Sequence, residues 1–221
     1  MLIAGIIGQS GITQTANLVN SILSSTGKKV SIIDSKNLME LDSRRIKSYE
    51  EELDKNNVDV LILKINVIDI KNKIFESIHF DIIIYTDKAD DLNEMKINGN
   101  REALGKIFSM LDEKGVAIVN VEDSELVKLL EDMKYHFITY GFNSKASITT
   151  SSVGDTDFDD NFMCCLQRTI STRTGSLVEP QEYRLKIEAN SLNANNVLAA
   201  ATFAIVNGVD LNMINHFEAK T

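Results

Sequence analysis

Two unbroken apolar runs, DVLILKI (Asp59–Ile65) and FDIIIYT (Phe80–Thr86), constrain the fold most. A strand with one wet face alternates apolar and polar residues, whereas a short continuous run suits a strand buried on both faces. Strands buried this way belong to parallel sheets with helices on each side. The neighbouring segments supply the rest of such a sheet. LIAGII (Leu2–Ile7), KVSIID (Lys29–Asp34), VAIVNVED (Val116–Asp123) and YHFITYG read as further strands. TANLVNSILSS (Thr15–Ser25) carries Leu18, Val19, Ile22 and Leu23 at helical spacing, and Gly27 stops it. NREALGKIFSMLDEKG (Asn100–Gly115) and SELVKLLEDM also read as helices. The expected fold class is α/β, a mostly parallel sheet flanked by helices.

The pattern changes after Gly141. ASITTSSV, FMCCLQRTI and YRLKIEA are β-like, with a turn at Arg173–Ser176, and predict a small antiparallel section over 146–188 appended to the parallel sheet. The acidic DTDFDD (Asp155–Asp160) reads as a solvated loop. Ser191–Gly208 is an Ala-rich helix with a glycine stop, and VDLNMINHF reads as a short helix after it.

Composition excludes several functions. The 221 residues suffice for one large domain with its own core, and 43% hydrophobic with 25% charged content is ordinary for a soluble protein. A net charge of -9 argues against a nucleic-acid partner or an anionic membrane surface. No apolar run approaches a membrane span of about 20 residues. The N-terminus lacks the basic segment of a signal peptide. The two cysteines, Cys164 and Cys165, are adjacent, which suits neither a structural disulfide nor a spaced metal site; a cytoplasmic protein is expected. They fall in a strand-like run, where one should point inward and one outward. His79, His136 and His216 are scattered beside apolar or aromatic residues and suggest no histidine catalysis.

The chemistry concentrates in GIIGQSGITQT (Gly5–Thr15), between the first strand and first helix. Backbone N–H groups and a helix N-terminus can cradle phosphate there, and the Thr13 hydroxyl stands where it could hold magnesium. Ile12 occupies the position of the phosphate-binding lysine. Losing one preorganised electrostatic contact costs roughly a hundredfold to a thousandfold in rate, so catalysis by this loop should be poor. Two other readings remain open. Asp34 closes the second strand about twenty residues after the loop, as a ribose-binding acid would, although the spacing is not G-x-G-x-x-G. Alternatively, the glycines make only a tight strand-to-helix turn.

Nearly the whole chain resembles the ATP-binding central domain of the Mur ligases, closest to the UDP-N-acetylmuramoyl-tripeptide synthetase type. The resemblance runs in order through GIIGQSGITQT and GKKVSIID, HFDIIIYTDKADDLNEM, NREALGKIFSMLDEKGVAIVNVEDSE, ITYGF and NANNVLAAATFAIVNGVDLNMI. It implies a cytoplasmic, ATP- and magnesium-dependent ligase, in which a carboxylate is phosphorylated and an amino acid's amine displaces the phosphate to form an amide. It also implies flanking domains for a UDP-sugar substrate and for closure over ATP. Neither is expected in these 221 residues, which read as a single central-like domain.

The departures from that family gather at the chemistry. The loop lysine position is Ile12. The magnesium-binding glutamate falls at Lys64, the metal-binding histidine at Asp91, and the carbamylated lysine near Leu104. Gly8, Gly11 and Thr13 keep the loop's shape and hydroxyl. Asn193 and Asn196 keep an Asn-x-x-Asn whose second member the resemblance places on adenine; the same asparagines suit a helix N-cap. Lys64 could restore a positive charge in place of a metal, and Asp91 or Thr13 could hold magnesium weakly. The favoured expectation is a degenerate Mur-ligase-like protein without ligase catalysis, with weak nucleotide binding and a regulatory or structural role near peptidoglycan precursor synthesis. A protein partner or self-association is expected at surfaces that neighbouring domains would cover. Two alternatives are an active acid–amino-acid ligase with a rebuilt metal site and a binder of another phosphorylated ligand or dinucleotide.

Overall fold

The computed structural model describes residues 1–38, 43–71, 75, 78–87, 104–151, 161–188, 193–214 and 217–218. The parallel strands are β1 (Leu2–Gly8), β2 (Val30–Asp34), β3 (Val60–Asn66), β4 (Phe80–Tyr85), β5 (Leu111–Asn120) and β6 (Phe137–Tyr140). Helix α1 (Ile12–Ser25) follows β1, and α2 (Ser35–Leu38) and α3 (Ser43–Lys55) follow β2. A 3-10 helix at Val67–Lys71 follows β3, a helical turn α4 at 104–108 precedes β5, and α5 (Ser124–Asp132) precedes β6.

The chain then extends the same sheet through β7 (Ile148–Thr150), β8 (Asn161–Leu166) and β11 (Gln181–Glu188), with a separate hairpin of β9 (Ile170–Ser171) and β10 (Leu177–Val178). Helix α6 (Ala194–Val206), a 3-10 turn (Leu211–Met213) and β12 (Phe217–Glu218) complete the order. The ten-stranded sheet runs β12-β11-β8-β7-β6-β5-β4-β1-β3-β2. Pairing is antiparallel at β7–β8 and β8–β11, the small antiparallel section expected from the sequence. The turn at Arg173–Ser176 joins the β9–β10 hairpin.

Two cores lie on opposite faces of the sheet. Ala4, Ile6, Val60, Ile62, Ile82, Ile84, Val116 and Ile118 pack with α1 and α6. Ile7, Leu61, Leu63, Ile65, Ile83, Tyr85, Ala117 and Val119 pack with Leu53, Phe108, Leu126 and Leu130 from the helices of the other face. Each central strand feeds both cores because successive side chains point to opposite faces. Helix α6 is buried at every position from Asn196 to Val206, which explains its apolar, Ala-rich composition.

Two predicted elements differ. Of the helix expected over Asn100–Gly115, the described residues 104–108 are helical, and Leu111–Gly115 enters β5. Long-range pairing overrides local pattern here, as Phe80 donates its N–H to the Met110 carbonyl and Leu111 pairs with Phe80, with a register shift before Ile82. VDLNMINHF forms no α-helix among its described residues. Asp210 caps a single 3-10 turn, and Phe217 then pairs with Ile187 of β11.

Candidate functional site

Strand β1 lies between β3 and β4, so the chain crosses over β1 in passing from one to the other. Such a switch point opens a crevice at the carboxyl ends of the strands, where α/β sheets bind ligands. The glycine loop fills this position. β1 ends at Gly8, and Gly11 is the N-cap of α1 with φ 71°, a left-handed conformation that glycine adopts without steric cost. A Cβ on Gly11 would stand 2.6 Å from Asn196 Oδ1.

On the β3 side, Lys64 shares a strand face with Val60 and Ile62 and therefore points toward α1. Its Nζ donates to the Thr13 hydroxyl at 3.3 Å and lies 3.6 Å from Asp34 Oδ2. Lys64, Thr13 and Asp34, widely separated in sequence, thus form one cluster. Ile12 packs against the core formed by α1 and α6. On the β4 side, the Asp87 carboxylate, only 1% exposed, accepts the Gln9 N–H at 2.6 Å and the Ser10 N–H at 3.0 Å.

Helix α6 brings its N-terminus to the same rim. Asn193 is its N-cap, and its side chain accepts the Asn195 N–H at 2.9 Å. The buried Asn196 donates its Nδ2 to Gln14 Oε1, tying α6 to the first turn of α1. Asn120, at the end of β5, donates to Asn195 at 3.3 Å. Leu104 lies in α4 and is buried in the core opposite α1. Asp91 and His216 lie outside the described residues. His79 and His136 are exposed, and His79 stands 3.9 Å from Asp112. Cys164 is buried and Cys165 half-buried, the alternation expected of a strand.

The structure thus unites Gly8, Gly11, Thr13, Lys64, Asp34, Asn193 and Asn196 around one loop. Sequence reasoning missed Asp87 and Gln14. Asp87 had one signal, its position directly after the apolar run of β4, where strand ends face the crevice.

ATP and magnesium, the groups implied by the fold, can be tested against these side chains. A magnesium ion at the Thr13 hydroxyl would meet the Lys64 ammonium, and among the described residues no three acidic, histidine or cysteine side chains gather to hold a metal. A phosphate on the loop would meet the Asp87 carboxylate on two of its N–H groups. As the side chains stand, neither group fits.

Residues 6–204 match the family model of the Mur ligase middle domain. The chain belongs to that family. Over 175 residues it is 21% identical to the UDP-N-acetylmuramoyl-L-alanyl-D-glutamate--2,6-diaminopimelate ligase of Chlamydia abortus, covering 73% of this chain and 36% of that protein. A solved structure of a UDP-N-acetylmuramoyl-L-alanyl-D-glutamate--2,6-diaminopimelate ligase superposes with a TM-score of 0.71 at 17% identity, over 96% of this chain and 44% of the other. The MurF ligase of Thermotoga maritima in complex with ADP gives 0.56 at 14% identity, over 95% and 46%. This Mur ligase middle domain therefore spans less than half the length of each of these three relatives. No helix among its described residues is long and apolar enough to cross a membrane.

Proposed function

We propose that this Mur ligase middle domain is a degenerate member that drives no amide-bond formation and acts as a regulatory or structural module beside peptidoglycan precursor synthesis, through a protein partner or a second copy of itself. The observation that carries this reading is the Lys64 ammonium hydrogen-bonded to the Thr13 hydroxyl. Phosphoryl transfer depends on cations arranged around the transferred group, with ligands that hold the metal. Here a side-chain cation stands at the hydroxyl that would face a metal, and the loop's lysine position carries Ile12, turned to the core.

Calorimetry with ATP, with and without magnesium, on the wild type and on the double variant Ile12→Lys/Lys64→Glu tests this. The wild type is expected to show no magnesium-dependent ATP binding and no turnover with any amino acid. The double variant should gain magnesium-dependent binding once Asp87→Asn is added to it, because that triple change restores the loop cation and an acidic group beside Thr13 and frees the Gln9 and Ser10 N–H groups from the Asp87 carboxylate. Magnesium- and amino-acid-dependent ATP turnover by the wild type would overturn the reading in favour of an active ligase. Binding of a dinucleotide in preference to ATP would favour a binding protein using the loop and Asp34.

A further inference from the structure

The loop is held from the β4 side by two consecutive residues, Thr86 and Asp87. The Thr86 hydroxyl donates to the Ser10 carbonyl at 2.8 Å and lies 3.3 Å from the Ile7 carbonyl. Asp87 takes the opposite role and accepts through both carboxylate oxygens. Oδ2 takes the Gln9 N–H at 2.6 Å, while Oδ1 takes the Ser10 N–H at 3.0 Å and stands 3.3 Å from the Ser10 hydroxyl. The carboxylate reaches the backbone this closely because residue 8 is glycine. A Cβ there would meet the Thr86 hydroxyl and stand 2.9 Å from Asp87 Oδ1.

We propose that Asp87 is a built-in anion that closes the glycine loop to phosphate. Backbone N–H groups that donate to a carboxylate form charge-assisted bonds, the same kind a phosphate oxygen would require. Each N–H carries one proton, so the carboxylate and a phosphate compete for Gln9 and Ser10. The competition is unequal, because the carboxylate is covalently positioned, almost fully buried and negatively charged. An incoming phosphate must break two hydrogen bonds and then stand beside a like charge. Asp87 thus acts as a specificity determinant that excludes nucleoside polyphosphates and pyrophosphate while preserving the loop's shape. This explains how the loop's geometry persists without the lysine. The inference deepens the non-catalytic reading and rests on it, but the two fail separately.

The test is Asp87→Asn, which keeps the shape and one acceptor oxygen and removes the charge. Wild type and variant, each as the 221-residue chain, are titrated with ATP and with inorganic pyrophosphate by calorimetry, each without and with magnesium. Removing a like charge from the site should tighten pyrophosphate and ATP binding by at least about tenfold, without need of magnesium. A folded variant that binds no tighter than wild type overturns the proposal and leaves the non-catalytic reading standing. Turnover by the wild type overturns the non-catalytic reading. Should the variant fail to fold, amide resonances of the wild type decide. Gln9 and Ser10 amides that exchange slowly and do not move on addition of pyrophosphate support an occupied loop. Movement of both with micromolar affinity overturns it.

Discussion

Gly11 and Asn196 show how closely the loop is built. Gly11 holds φ 71°, and its absent side chain leaves room for the Asn196 amide, which in turn donates to Gln14. Gly11→Ala should destabilise the chain by at least ~1–2 kcal/mol from the left-handed backbone alone, with the Asn196 clash added. A lower urea midpoint with an unchanged slope would register it. The glycine spacing was legible in the sequence because it is local. The partners were not: Asp87 lies 78 residues from Gln9, and Lys64 lies 51 from Thr13. No periodicity carries a relation of that length. By sequence Lys64 is a charge reversal that could replace a metal; its hydrogen bond to Thr13 shows where its charge is placed.

Among the elements, β8 and α6 were the most readable, because their burial follows from their own pattern. Cys164 faces the core and Cys165 the other side, and burial pushes the Cys164 thiol well above its usual value. A maleimide titration of the native protein should modify Cys165 alone, and Cys164 only after unfolding, as counted by intact mass. Reaction of both in the native state would contradict the burial of Cys164. For α6, Asn193→Ala removes the side chain that caps the Asn195 N–H and should cost about 1 kcal/mol, measurable by chemical denaturation. The end of the helix predicted over Asn100–Gly115 is a strand instead, because LDEKG is ambiguous by itself. Pairing of Leu111 with Phe80 decided it.

At the scale of the whole molecule, stability rests on two cores separated by one sheet. Phe203, fully buried in α6, packs in the core that joins α1, α6 and both parts of the sheet. Phe203→Ala should cost about 3–5 kcal/mol, since the cavity lies where little can relax. Calorimetric melting should show that loss as a lower transition temperature. The sequence alone determined the alternation of strands and helices, the antiparallel extension after Gly141 and the loop at the first strand-to-helix turn. These depend on local periodicity and on residues with special backbone freedom. Only the tertiary structure decided that β1 lies between β3 and β4, since strand order in a parallel sheet is set by crossovers that no local pattern records. That order places Lys64 on one side of the loop and Asp87 on the other. It thereby gives an apparent phosphate cradle a cation and an anion of the chain's own.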